Sequence, residues 1–209
     1  VIDTIGADFI KPTTEWGIDH GVWSVLMHLY PKADIPVIII SVDMTDSPKK
    51  MFELGRRLRP LRDEGYLIFG SGNVVHNLRE VEDIDNAYDW ALTFDQAVTD
   101  AVIAKKYDQI VNYKDLPYAN RGVPTADHFL PLPAILGASY DDETAEVWNH
   151  YGELGGITQR SVDKGIAHDL ATHLNPGLLL IGHCDSLLCW RRQARSVLNN
   201  RKATSTGRT

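Results

Sequence analysis

The sequence predicts an α/β fold with a central mixed sheet flanked by helices on both faces, followed by a C-terminal extension of unknown structure. Two short apolar runs, at positions 35–42 and 66–70, have the length and composition of buried strands, and the first is typical of a central strand. Between them, apolar residues recur every three or four positions, which indicates an amphipathic helix. A strand, a helix and a second strand form a βαβ unit, whose ligand site is expected beyond the carboxyl ends of the strands.

Helix signals in the first part of the chain come from prolines and a capping residue. Residues 22–30 are mostly apolar and contain no breaker, so we expect a buried helix that ends before Pro31. Ser47 has the position of an N-cap and Pro48 that of the first helical residue. The helix that starts there should be kinked near Pro60.

The second part of the chain is predicted from similar local patterns. These patterns indicate an amphipathic helix within 83–106, an irregular segment at 107–123, a helix from Pro124 capped by Thr125, strands at 154–162 and 177–182, and a basic helix at 190–202. The helix that is capped by Thr125 would hold His128 in its first turn.

Charge and composition limit the classes of function. The 209 residues carry a net charge of −7, which argues against binding to nucleic acid. No apolar run reaches the roughly 20 residues needed to cross a membrane. The chain contains only two cysteines, which favours a reducing cytoplasm. Residues 1–162 carry −11 and residues 163–209 carry +4, so we predict a boundary between an acidic globular part and a basic extension.

Three histidines are the candidate functional residues. His20, His76 and His128 lie 56 and 52 positions apart, which is too far for a local metal motif but suitable for loops that meet at one edge of a sheet. Each is next to glycine, Asn, Asp or Thr, which allow a close backbone approach or orient an imidazole. The residues alone leave three roles open: metal ligands for zinc or iron, acid–base groups, and structural hydrogen-bonding residues.

The motifs around these histidines resemble the class III extradiol ring-cleavage dioxygenases, in the 4,5-DOPA extradiol dioxygenase-like branch. The resemblance covers residues 12–162 and rests on segments that occur in the same order with compatible spacing. These are Trp-Gly-Ile-Asp-His-Gly-Val-Trp at 16–23, Tyr-Pro-Lys-Ala-Asp-Ile-Pro at 30–36, Leu-Gly-Arg-Arg-Leu at 54–58, Leu-Arg-Asp-Glu-Gly at 61–65, Gly-Ser-Gly-Asn-Val-Val-His-Asn-Leu at 70–78, His-Phe-Leu-Pro-Leu at 128–132 and the closing strand at 153–162.

The resemblance implies an oxidoreductase that opens a DOPA-like or other catechol ring with O₂ and a mononuclear non-haem metal. Fe(II) is expected for catalysis, and Zn(II) can be the bound metal. By position, His128 resembles a metal ligand, and His76 resembles the acid–base histidine beside the metal, which also counts as a ligand. His20 resembles the second active-site histidine, which contacts the substrate or bound oxygen.

Two departures from the family pattern affect the expected activity. The sequence lacks the two N-terminal histidine motifs that supply further metal ligands in relatives, and residues 163–209 match nothing in the family. Residues 1–162 would therefore be a partial catalytic domain. We expect weak or absent activity unless a further N-terminal segment or a partner chain completes the site, because one or two imidazoles cannot complete a metal site. Two alternatives stay open: a truncated, non-catalytic binding protein of the same fold, or a zinc-dependent hydrolase. The expected partners are an aromatic diol and O₂, with no nucleic acid and no membrane, and a homo-oligomer is open.

Overall fold

The computed structural model describes residues 1–163, apart from positions 16, 19, 43 and 44, and residues 177–182. In this part of the chain the predicted α/β fold is confirmed. The elements are α1 (Ile2–Ile5), α2 (His20–Leu29), β1 (Val37–Ile40), α3 (Pro48–Leu58), α4 (Pro60–Asp63), β2 (Tyr66–Ser71), β3 (His76–Val81), α5 (Asp89–Ile103), α6 (Tyr107–Val111), a 3₁₀ turn (Tyr113–Asp115), α7 (Ala119–Gly122), α8 (Pro131–Ala138), β4 (Glu146–Glu153), β5 (Gly155–Asp163) and β6 (Gly177–Gly182).

One described sheet is parallel, with β6 between β1 and β2. The sequence predicts the run at 35–42 as a central strand, but β1 lies at the edge of this three-stranded sheet, and Ile38 is exposed. The central position belongs to β6, which the sequence analysis places in the basic extension. An apolar run indicates that a strand is present but not which strands lie beside it, because strand order depends on contacts between distant segments.

The second described sheet is antiparallel, in the order β3–β5–β4. β5 confirms the strand predicted at 154–162. The sequence patterns do not indicate β3 or β4, and they predict a loop around His76. Both strands mix polar and apolar residues without clear alternation, and both pair with β5 through an irregular register. A strand of this kind gives little periodic signal because neither of its faces is uniformly apolar.

Several helix predictions are confirmed, and two are corrected. Ser47 caps α3 by accepting a hydrogen bond from the Lys50 N–H at 3.1 Å, and α4 begins at Pro60. The segment at 107–123, predicted as irregular, contains α6, the 3₁₀ turn and α7. The helix predicted from Pro124 begins only at Pro131. The predicted helix at 190–202 lies outside the described residues, and no described helix has both the length and the apolar character needed to cross a membrane.

Two glycines allow α3 and α8 to pack with their backbones in contact. A Cβ atom at Gly55 would lie 1.9 Å from the carbonyl oxygen of Ala134, and one at Gly137 would lie 2.0 Å from that of Phe52. Both distances are far below van der Waals contact, so a larger residue at either position would force the helices apart. Buried apolar side chains from both helices surround this crossing. The crossing therefore fixes the position of α8 in the fold, and with it the position of the turn that precedes α8 and carries His128.

We expect Gly55→Ala to lower the free energy of unfolding by about 1–3 kcal/mol, because the added methyl group overlaps the Ala134 carbonyl. This loss should appear although alanine is the better helix former. Urea unfolding followed by circular dichroism measures it. Gly17→Ala is the control, since a Cβ there meets nothing within 4 Å, and it should change stability by less than about 0.5 kcal/mol. A Gly55→Ala chain as stable as the control would contradict the close helix crossing.

Candidate active site

His76 is the first residue of β3 and follows the turn that leaves the carboxyl end of β2. The residues before it, Val74 and Val75, belong to the hydrophobic core, and the His76 side chain is itself buried. His76 pairs with Ile157 of β5, so the antiparallel sheet fixes its backbone. The predicted position of His76 beyond the end of β2 is therefore correct, although the residue starts a strand rather than ending a loop.

His128 lies in the turn that precedes α8, three residues before the helix begins. The turn is closed by hydrogen bonds from the N–H groups of Phe129 and Leu130 to the Ala126 carbonyl oxygen, both at 2.9 Å. The sequence predicts Thr125 as the cap of a helix that contains His128, but this prediction is wrong, because the helix begins only at Pro131. Thr125 instead hydrogen-bonds the side chain of Asp127. The His128 side chain is 3% exposed, so the turn directs it into the protein.

The imidazole rings of His76 and His128 stack on each other, with their centroids 3.6 Å apart and their planes inclined by 16°. Two of the three predicted histidines, 52 positions apart in the sequence, thus meet in one buried place. His20 is the first residue of α2, and its side chain lies outside what the structure describes. The convergence of all three imidazoles therefore stays a prediction, as do their catalytic and metal-binding roles.

Asp127 adds a carboxylate to the histidine pair. Its Oδ2 atom lies 3.5 Å from Nε2 of His128. Burial raises the pKa of the Asp127 carboxyl, but the hydrogen bond from Thr125 and attraction to His128 and His76 outweigh burial, so this pKa lies below its ordinary value. The carboxylate is therefore ionised at neutral pH, and it faces the Nε2 side of the His128 ring. The position of Asp127 next to His128 in the sequence indicates that it can orient this imidazole, although the motif does not mark it as a site residue.

The described residues do not fit a complete metal centre. A metal ion lies in the plane of the imidazole that binds it, about 2.1 Å from the ligating nitrogen. The planes of His76 and His128 are nearly parallel and meet far beyond that distance, so the two rings as placed do not share one ion. In the part of the chain that the structure describes, no group of three or more His, Cys, Asp or Glu side chains is arranged to hold a metal. Either imidazole can still serve as a single ligand.

Comparison with known proteins gives consistent matches to one family. Residues 3–162 match the family model described as the catalytic LigB subunit of aromatic ring-opening dioxygenase. The chain is 39% identical over 155 residues to the 4,5-DOPA dioxygenase extradiol of Escherichia coli K12, a match that covers 72% of this chain and 57% of the relative. It is 36% identical over 143 residues to the protein of the same name from Beta vulgaris, which covers 68% of this chain and 53% of the relative.

A solved structure is also similar to this chain in sequence and in fold. The crystal structure of an uncharacterized protein from Escherichia coli K12 is 38% identical in sequence and similar in fold, with a TM-score of 0.66. The match covers 72% of this chain and 64% of the other. The chain spans about half the length of the curated relatives it matches. His76, His128 and Asp127 all lie within the segment that the family model matches.

The lowered pKa of Asp127 predicts a pH dependence of stability. Because this pKa is lower in the folded chain than its ordinary value of 3.8, the carboxylate stabilises the fold fully above that value. The contribution is lost as the pH falls through the lower, folded pKa. We therefore expect the stability difference between the wild type and Asp127→Asn to shrink as the pH falls from about 5 to 3, measured by urea unfolding. Asp83→Asn, at an exposed position, should show no such trend. A constant difference would contradict this electrostatic role.

Proposed function

Because the chain belongs to the family of the catalytic LigB subunit of aromatic ring-opening dioxygenase, we propose that it acts as an extradiol ring-cleavage dioxygenase on a catechol, either DOPA-like or a related aromatic diol. The observation that carries the proposal is the buried, stacked pair of His76 and His128. O₂ is the second substrate. The composition, with two cysteines, supports a cytoplasmic location.

The stacked pair supports an acid–base role for His76. Two imidazoles this close in a buried site do not readily carry positive charge together, because like charges repel and burial disfavours each of them. Asp127, whose Oδ2 lies 3.5 Å from Nε2 of His128, orients that ring for metal binding through its other nitrogen. This leaves His76 for proton transfer, since an imidazole can accept the proton of a phenolic hydroxyl group. Burial of both rings keeps water away from this proton transfer.

We assign His128 to the metal side of the site, His76 to proton transfer rather than to ligation of the same ion, and His20 to contact with the substrate. The stacking supports separate roles for His76 and His128, since the two rings as placed do not share an ion. Fe(II) is the metal expected in this proposal, with Zn(II) as the other metal that the site could take. When bound, the metal would supply the redox chemistry that joins a catechol to O₂. This chain's own residues supply proton transfer and positioning of the substrate.

The proposed activity is tested by supplying excess Fe(II) and a catechol, then recording O₂ uptake together with the visible absorbance of the ring-opened semialdehyde. We expect His76→Ala to lower the rate by about 10²- to 10⁴-fold, which is typical of the loss of an acid–base group. His128→Ala should also lower the rate, because it removes a metal ligand. His28→Ala is the matched control, because His28 is an exposed histidine of α2, and it should keep the wild-type rate.

Two outcomes would contradict the proposal and favour another function. Tight binding of a catechol by the wild type, without O₂ uptake at any Fe(II) concentration, would favour the non-catalytic binding protein. Hydrolysis of an ester with Zn(II), without O₂ consumption, would favour the zinc-dependent hydrolase. Equal rates for all three histidine variants would remove the histidine pair from the mechanism.

Metal affinity gives a separate prediction. We expect the purified chain to bind Zn(II) or Fe(II) weakly, without a stoichiometric end point in calorimetric titration, because the described residues offer no group of three donors. His128→Ala should weaken the remaining binding further, whereas His28→Ala should not change it. Tight one-to-one binding by the wild type would show that donors beyond the His76–His128 pair complete the site.

A further inference from the structure

Asn73 contacts both of the chain segments that carry the paired histidines. Its backbone N–H donates a hydrogen bond to the carbonyl oxygen of His128 at 2.9 Å. Its side-chain Nδ2 donates a hydrogen bond to the carbonyl oxygen of Thr158 in β5 at 3.0 Å. Asn73 is buried, and it precedes His76 by three residues in the same turn. One residue thus joins the turn before β3, the turn before α8 and strand β5.

Strand β5 is a fixed reference for this turn. Thr158 follows Ile157, which pairs with His76, and the Thr158 N–H also bonds the Val75 carbonyl oxygen at 3.3 Å. The Asn73 side chain therefore holds the turn against the strand that also holds the His76 backbone. Since the Asn73 backbone binds His128, the relative position of the two histidines depends on this residue.

Gly72 brings the turn close enough to make the contact. A Cβ atom at position 72 would lie 2.1 Å from the carbonyl oxygen of His128 and 3.3 Å from the Pro131 side chain. A residue larger than glycine would push the His128 carbonyl away from the Asn73 N–H. The contact between the turns is thus a close backbone approach, which Asn73 fixes with directed hydrogen bonds.

A buried ion pair holds Thr158 from the other side. The Thr158 hydroxyl donates a hydrogen bond to Oδ1 of Asp95 in α5 at 2.8 Å, and Arg160 donates to Oδ2 of the same carboxylate. Burial lowers the pKa of Arg160 to about 10, which still leaves the guanidinium charged at neutral pH. Thr158 is therefore held between α5 and Asn73, and it has little freedom to shift under the Asn73 side chain.

We propose that Asn73 is a positioning residue, which sets the stacking of His128 on His76 through its hydrogen bonds to His128 and Thr158. This inference rests on the proposed function, because the stacked pair is the group that carries the acid–base chemistry there. Loss of the Asn73 side chain releases the turn from β5, so that the ring of His128 no longer keeps its place over His76. The effect falls on turnover rather than on substrate affinity, because Asn73 acts through the histidines.

The histidine ring protons report the stacking directly, without metal or substrate. Stacked rings shift each other's proton resonances, so the NMR signals of His76 and His128 should move toward those of an exposed histidine in Asn73→Ala. Asn112→Ala is the matched control, because Asn112 also donates its Nδ2 to a backbone carbonyl, that of Asp108, but at an exposed site. Its histidine signals should match the wild type. Wild-type signals in Asn73→Ala, with the fold intact, would overturn the proposal.

Thr158→Val separates positioning from a general loss of stability. It removes the hydroxyl that binds Asp95 but keeps the carbonyl that accepts from Asn73. We expect this variant to be less stable than the wild type while its histidine signals stay stacked. If Thr158→Val shifts those signals as much as Asn73→Ala, the effect is general softening and the assignment to Asn73 fails.

A measurement on the unaltered chain covers the case in which Asn73→Ala does not fold. Scalar couplings through hydrogen bonds should join the Asn73 side-chain nitrogen to the carbonyl carbon of Thr158. A second coupling should join the Asn73 backbone nitrogen to the carbonyl carbon of His128. Absence of either coupling would overturn the proposal. In the Fe(II)-supplied ring-cleavage assay we expect Asn73→Ala to lower kcat by about 10- to 100-fold with little change in KM. An inactive wild type would refute the proposed function, but the NMR tests of stacking would still decide the role of Asn73.

Discussion

The close approach of the Gly72–Asn73 backbone to the carbonyl group of His128 is the constraint on which the candidate site depends. It joins two turns that are more than fifty residues apart in the sequence, and each turn leads directly to a histidine. A glycine permits the approach, and an N–H group of the next residue satisfies the buried carbonyl. The contact therefore ties together the two segments that carry the imidazole rings, which come from different elements.

The surrounding fold supports this contact from two directions. On one side, α8 is placed by its glycine-mediated crossing with α3, so the turn that carries His128 starts from a fixed helix. On the other side, β5 pairs with β3 and binds the side chain of Asn73. The site therefore lies where the parallel-sheet layer, with α3 and α8, meets the antiparallel sheet. Small shifts in either layer would change the stacking, because the rings touch across that junction.

The buried ion pair between Asp95 and Arg160 carries a desolvation cost, and its contact with Thr158 gives a structural reason for it. Both side chains are buried, and removing two charges from water is expensive even when they bind each other. An apolar pair of similar size could give equal stability. Asp95 of this pair also accepts a hydrogen bond from the Thr158 hydroxyl group, and it thereby fixes the strand segment that contacts Asn73. A directed polar contact specifies one arrangement of this strand, whereas an apolar contact would tolerate several.

The sequence by itself determined the features that depend on neighbouring residues. Apolar runs identified β1, β2 and β6, Ser47 and Pro48 identified the start of α3, and the motifs around His76 and His128 identified the family. It could not determine that β6 lies between β1 and β2, because strand order depends on pairing between residues more than a hundred positions apart. The stacking of the two imidazoles and the hydrogen bonds of Asn73 to His128 and Thr158 were decided only by the tertiary structure. They depend on close backbone contacts at Gly72, Gly55 and Gly137. The sequence alone does not show these contacts, because the carbonyl group opposite each glycine belongs to a distant residue.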